Sequence, residues 1–236
     1  MSATLLTGAV FHGADDGGSM AGGPARAVWH TTESDPGTLA AVVRYLAWNR
    51  SAPHLVWDPS TGEIAQMIPA DRAARALMHP SGTPETNRAG SACLQIEVVG
   101  RAREPFTAGP MRGRETILAW LDGLGVRRDA YSGPRMSWQQ WAAFNGHCGH
   151  MHVPGNDHVD PGAIDWQALL EAAPEGNDDM WLLKDPDGPA QFLIVGGCVV
   201  YIASPVDLGD YVKRGVKYAP VAAHEARALI KTAIGR

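Results

Sequence analysis

The sequence predicts an α/β domain, a mixed central sheet flanked by helices, followed by a small C-terminal α+β module. Three observations carry this. Strand-like and helix-like stretches alternate through residues 25–172, the pattern of helices layered on a sheet. The run Pro174-Glu-Gly-Asn-Asp-Asp179 breaks that alternation with linker composition. Short apolar runs resume beyond it. The expected organisation is therefore a domain over 1–173, a linker over 174–179 and a module over 180–236. Of the 236 residues, 45% are hydrophobic and 19% charged, which supplies a sizeable core and argues against disorder.

The elements follow in order. Gly17–Pro24 is a glycine-rich loop. Ala25–His30 reads as a short strand ending on a histidine. Ser34, Asp35 and Pro36 form a helix start, and Leu39, Val42, Val43 and Leu46 recur at helical spacing, so the expected helix covers 36–49. His54–Trp57 and Glu63–Ile68, separated by Asp58-Pro-Ser-Thr-Gly62, read as a hairpin. Gly82–Gly90 is a polar loop. Ala92–Val99 is an expected buried strand with Leu94, Ile96 and Val98 on one face and Gln95 and Glu97 on the other. A carboxylate in so apolar a strand needs a partner or a purpose. Residues 111–124, 137–145 and 165–173 read as helices, with Ile117, Leu118, Trp120 and Leu121 as the first one's apolar face. In the module, 181–183, 191–195 and 198–202 read as strands and 222–234 as a helix.

Several function classes are disfavoured. A net charge of −5 argues against a nucleic-acid partner, which ordinarily meets a basic face. No apolar run approaches the roughly 18 residues of a membrane span. Three scattered cysteines, Cys93, Cys148 and Cys198, do not suggest a disulfide framework. The opening residues lack a basic leader and a long apolar run, so no secretory signal is expected; the chain is expected to be made and held in a cytoplasm.

The chemistry concentrates in His147-Cys-Gly-His-Met-His-Val-Pro-Gly-Asn-Asp-His-Val-Asp-Pro-Gly162. This stretch has no period and holds four of the nine histidines, His147, His150, His152 and His158, with Asp160 close behind. Histidine and carboxylate are common zinc ligands, and a catalytic zinc site typically takes three protein ligands and leaves a position open. Two could come from this loop. The third must come from elsewhere, with His30 at a strand end the best candidate. His12 and His224 read as ordinary surface or core residues, and Cys148 as a small buried one. Trp29, Trp57, Trp138 and Trp141 read as core or cleft wall.

These residues resemble the zinc-dependent N-acetylmuramoyl-L-alanine amidases, which share a fold with the peptidoglycan-recognition proteins. Trp29-His30-Thr31-Thr32 resembles the family's first strand, which ends in a histidine followed by small polar residues. Gly149-His150, about ten residues ahead of Asp160-Pro161-Gly162, resembles its later ligand pair. Leu94-Gln95-Ile96-Glu97 resembles its central strand, and Ser51-Ala52-Pro53-His54 a Ser-Ala-His strand start with a proline inserted. The resemblance spans residues 25–172 and leaves the module outside. It implies one zinc ion held by His30, His150 and Asp160, with His152 as the rival register for the middle ligand. It implies Glu97 as the proton carrier and His158, where the family often has lysine, as the oxyanion stabiliser, a role that depends on pH because histidine titrates near neutrality. It implies His54, His79 and Asn87 as cleft residues that contact substrate, although Leu77-Met78 departs from the family's tryptophan before His79.

The implied partner is bacterial peptidoglycan, with no nucleic acid and no membrane insertion. The implied reaction cleaves the amide between N-acetylmuramic acid and L-alanine. A separate C-terminal module suits a phage endolysin that waits in the host cytoplasm until lysis. Its Trp181, Phe192, Tyr201, Tyr211 and Tyr218 could bind wall glycan, or the module could serve homo-oligomerisation. Competing readings are a peptidoglycan-binding protein of the same fold without catalysis, a zinc endopeptidase, and a structural zinc site closed by Cys148 or His152.

Overall fold

The computed structural model describes residues 4–77, 82–171, 180–187, 190–195, 198–201, 217–218 and 226–227. The chain divides into two compact units, Met1–Glu171 and Ala172–Arg236.

The first unit is built on a six-stranded sheet of order β1-β4-β3-β5-β2-β6. The strands are β1 (Val10–Phe11), β2 (Arg26–Thr31), β3 (Leu55–Asp58), β4 (Glu63–Gln66), β5 (Cys93–Val98) and β6 (Gly146–Gly149). β3, β5, β2 and β6 run parallel, while β3 and β4 form the expected antiparallel hairpin. The sheet is mixed, as the sequence predicts. Helices α1 (Leu39–Trp48), α2 (Arg114–Gly123), α3 (Trp138–Ala143) and α4 (Trp166–Leu170) flank it.

Alternation along the strands sorts the two faces. Ala27 and Trp29 of β2, Leu55 and Trp57 of β3, and Leu94, Ile96 and Val98 of β5 enter one core with Ile117, Leu118 and Leu121 of α2 and Leu169 of α4. On the other face α1 buries Val42, Val43 and Leu46 against Val56, Ala65 and Met67. A third cluster beneath α3 joins Val28, Cys93, Met136, Trp141, Cys148 and Val153. Trp29 and Trp57 are core residues, their rings meeting edge to face at 6.1 Å.

Two expectations are corrected. The first helix starts at Leu39, not 36, because Gly37 takes a left-handed φ of 78° and Thr38 precedes the helix. Ser34 caps nothing; its hydroxyl bonds that of Thr32. The second correction is β6. Its Gly-His-Cys-Gly composition carries no strand signal, yet it pairs with β2 from Arg26↔Gly146 to Trp29↔Gly149. A neighbouring strand supplied what local propensity did not.

In the second unit, β7 (Met180–Lys184), β8 (Gln191–Val195), β9 (Cys198–Tyr201) and β10 (Lys217–Tyr218) form a sheet of order β10-β7-β8-β9. Leu182, Leu183 and Phe192 are buried within it. Tyr211 and most of the expected helix 222–234 lie outside the described residues. Among the described residues no helix is long and apolar enough to cross a membrane.

Candidate metal centre

The site forms at the carboxyl ends of three neighbouring parallel strands, where open α/β sheets ordinarily present their ligand sites. On β2, Arg26, Val28 and His30 share a face. In register across β5 stand Cys93, Gln95 and Glu97, so His30 lies directly opposite Glu97. On the other side, β6 ends at Gly149, paired with Trp29, and the chain enters the 3-10 turn His150–His152. His150 therefore arrives beside His30, their ring centroids 4.5 Å apart.

Asp160 returns to this point through two close backbone approaches. The Met151 N–H donates to the Asp160 carbonyl at 2.9 Å. A Cβ at Gly149 would lie 2.7 Å from Pro161 Cδ, so only glycine lets the Asp160-Pro161 segment, whose peptide is cis, close over it. Gly162 takes φ 75°, and a Cβ there would lie 2.0 Å from the Ala102 carbonyl oxygen. The glycines of the Gly-His and Asp-Pro-Gly motifs are thus steric requirements of bringing a distant carboxylate to His150.

The result is a compact donor set. His30 Nδ1 lies 3.4 Å from Asp160 Oδ2, and His150 Nδ1 lies 3.1 Å from Asp160 Oδ1. One ligand atom from each of the three residues falls within 4.8 Å of the others. Ligands at zinc distances of about 2.0–2.1 Å in a tetrahedron stand about 3.3 Å apart, so the spacing fits. Both Nε2 atoms are buried and lack a hydrogen-bond partner among the described residues. Both Nδ1 atoms face the Asp160 carboxylate, and the tautomer that carries its proton at Nε2 would present the Nδ1 lone pair to a cation. Two imidazoles and one carboxylate are a donor set suited to zinc.

The electrostatics follow from burial and crowding. Burial lowers the His150 pKa to about 4, and His30 adds to the effect. Burial works the same way on His30, but Asp160 and Glu97 outweigh it and raise its pKa. Burial opposes the Asp160 charge as well, yet the two imidazoles hold its carboxyl well below the usual range. Glu97, its carboxyl 3.9 Å from His30 Nδ1, is pushed up to about 7 by burial, with Asp160 and Glu33 contributing and His30 opposing.

His158 stacks on His150 at 4.0 Å between centroids, and its Nδ1 lies 3.2 Å from Asp160 Oδ1. It is half exposed and faces a cavity of about 690 Å3 lined also by His30, Glu97, His150 and Asp160. His152, the rival register, turns away. Its Nδ1 accepts the Gly149 N–H at 3.0 Å, and its ring meets Tyr131 edge-on. His147 and Cys148 are buried within the sheet, His147 accepting from the Trp29 indole N–H at 3.1 Å.

Two residues expected in the cleft are buried in the fold. His54 is fully buried. Its Nδ1 accepts the Gln95 N–H at 3.0 Å and its Nε2 reaches the Arg72 carbonyl at 2.9 Å, so it ties strand ends together. Asn87 is also buried, donating to the Ala74 carbonyl at 2.8 Å. His79 lies outside the described residues.

Sequence reasoning missed Glu33. It lines the cavity with φ 54°, a left-handed conformation uncommon outside glycine. Its carboxylate accepts from the Thr31 hydroxyl and from the Ala102 N–H, both at 2.8 Å, joining two loops at the cavity mouth. Nothing in the residue's type marks that conformation; only the partners across the cleft reveal it.

No family model matches the sequence, and no curated protein does. The solved structures similar to it include N-acetylmuramoyl-L-alanine amidases. One is the endolysin amidase LysCS from Clostridium intestinale, at 13% identity, with 70% of this chain and 95% of that chain covered and a TM-score of 0.45. A second is a selenomethionine derivative of AmpD, at 17% identity, with 72% and 96% covered and a TM-score of 0.46. A third is the hydrolase AmiA of Staphylococcus aureus bound to its ligand, at 17% identity, with 66% and 74% covered and a TM-score of 0.44.

Proposed function

We propose that the chain is a zinc-dependent amidase that cleaves peptidoglycan between N-acetylmuramic acid and L-alanine. The observation that carries this is the meeting of His30, His150 and Asp160 beside Glu97 at one open cavity. The substrate assignment rests on the motif resemblance of residues 25–172.

His30, His150 and Asp160 would hold the ion. Zinc, when bound, supplies a Lewis acid that lowers the pKa of water and polarises a carbonyl. Glu97 faces the same cavity and takes the proton of the attacking water, then returns it to the leaving amine. The carbon–oxygen bond forms first, and the carbon–nitrogen bond breaks once the amine is protonated, leaving a lactyl carboxylate and a free L-alanine amine. His158 hydrogen-bonds the oxyanion that develops between these steps. Its Nδ1 already faces Asp160, so Nε2 is the atom left for substrate.

We read the two-unit chain as a phage endolysin, with a second unit that binds wall glycan or a second copy. It would wait in the host cytoplasm until a membrane pore admits it to the wall.

Mass spectrometry of digested wall tests the reaction. New muramic carboxylates and free L-alanine amines are expected. Cuts within the stem peptide would mean an endopeptidase. Wall binding without any release would mean a recognition protein.

A further inference from the structure

We propose that the groove between α1 and the segment after β2 is a saccharide subsite, with Tyr45 and Trp48 as a stacking platform for the glycan chain. The proposal rests on the peptidoglycan reading above and adds which part of the substrate lies where.

Four observations point to it. First, the groove has a volume of about 440 Å3, the size of a small-ligand pocket, and it shares Thr31, Leu46 and Glu97 with the metal-site cavity. It is therefore a continuation of the cleft. Second, its wall carries the hydroxyls of Thr31, Thr32, Ser34 and Thr38. These bond locally, Thr32 to Ser34 at 2.6 Å and Thr38 to the Asp35 carbonyl at 2.6 Å, which holds them in place. A hydroxyl has two lone pairs and one proton, so each keeps capacity for a ligand.

Third, among the described residues Glu97 is the only ionisable side chain lining the groove apart from the Tyr45 phenol, and none of them that lines it is basic. The carboxylates of an acidic peptide would find no cation there, whereas a neutral N-acetylated sugar needs none. Fourth, Tyr45 and Trp48, three residues apart on α1, stand 57% and 79% exposed with ring centroids 6.1 Å apart. Tyr45 itself lines the groove. Two adjacent aromatic rings left in water at the edge of a polar cavity match the C–H face and hydroxyl edge of a sugar ring.

The test uses the intact chain, the Tyr45→Ala/Trp48→Ala double variant and a Phe11→Ala control. Phe11 is also exposed, at 50%, but belongs to the two-residue edge strand β1. Calorimetry with a β-1,4-linked N-acetylglucosamine tetramer measures glycan affinity without any scissile amide. The double variant should bind roughly fivefold more weakly or worse, and the control should match wild type. In parallel, kcat/KM is measured on polymeric glycan-linked wall fragments and on a single-sugar muropeptide. The ratio of the two should fall by a similar factor in the double variant only. An unchanged affinity or an unchanged ratio overturns the subsite. If wild type frees no L-alanine amines, the amidase reading falls and the calorimetry alone decides whether sugars bind here.

Discussion

Asp160 is the residue on which the site turns, because it faces the rings of His30, His150 and His158 at once. Its neighbour in function, Glu97, is the residue whose change should cost activity with the least structural cost. Glu97→Gln keeps the shape and removes the carboxylate proposed to carry the proton. We expect kcat to fall by roughly 10²–10⁴-fold, with thermal stability and zinc content held. A variant that keeps full turnover would remove Glu97 from the mechanism. His54 and His147 give a prediction about acid stability. Burial lowers each pKa from histidine's ordinary value of about 6.5 to about 4. Each also accepts a hydrogen bond at Nδ1, which a proton there would forfeit. Between pH 6.5 and 4 the unfolded chain therefore binds protons that the folded chain refuses. Stability is complete above pH 6.5 and is lost as pH falls towards 4, by roughly 3 kcal/mol for each ring. NMR titration should show the His54 and His147 imidazoles still neutral at pH 5, and the urea midpoint should drop across that window. Rings that titrate near pH 6.5 would refute the assignment.

At the scale of elements, the site depends on the register of three parallel strands and on two glycines in the connecting loops. Gly162→Ala should destabilise the first unit by about 1–3 kcal/mol, through a left-handed φ and a collision with the Ala102 carbonyl. It should also weaken metal binding, because that collision moves Asp160. Gly123→Ala, at the end of α2 with room for a Cβ, is the control and should lower neither. Zinc titration of the two variants checks this. Equal affinities would show that Asp160 is held independently of the Gly162 contact. The elements themselves were partly legible. β2 and β5 follow from apolar alternation, and α1 from its spacing of Val42, Val43 and Leu46. β6 was not legible, because Gly146–Gly149 has no propensity of its own and becomes a strand by pairing with β2.

At the scale of the whole molecule, an ion held by His30, His150 and Asp160 would couple metal binding to folding. Zinc at about a hundred times its Kd should stabilise the first unit by about 2.7 kcal/mol, a rise of roughly 5–10 °C in its Tm. His30→Ala should abolish the rise. A chelator that leaves the Tm of purified wild type unchanged, together with no response to added zinc, would argue that no ion belongs to the fold. The second unit has its own expected readout. A chain ending at residue 176 should still hydrolyse soluble muropeptides but sediment less with intact wall. Equal sedimentation would assign the unit to another role.

Sequence alone determined the chemistry available: a strand ending in His30, a carboxylate at Glu97 on the opposite face from Leu94 and Ile96, and a loop rich in histidine that ends in Asp160. Those follow from residue type and from the two-residue period of a strand, both of which are local. Tertiary structure decided which residues meet. It chose His150 over His152, because the Gly149 N–H takes the His152 ring while β6 delivers His150 to His30. It placed His54 and Asn87 inside the fold, where strand ends and loops needed hydrogen-bond partners. Parallel pairing and loop closure are set by contacts between residues far apart in the chain, such as Arg26 with Gly146 and Ala102 with Gly162, and no local pattern encodes them.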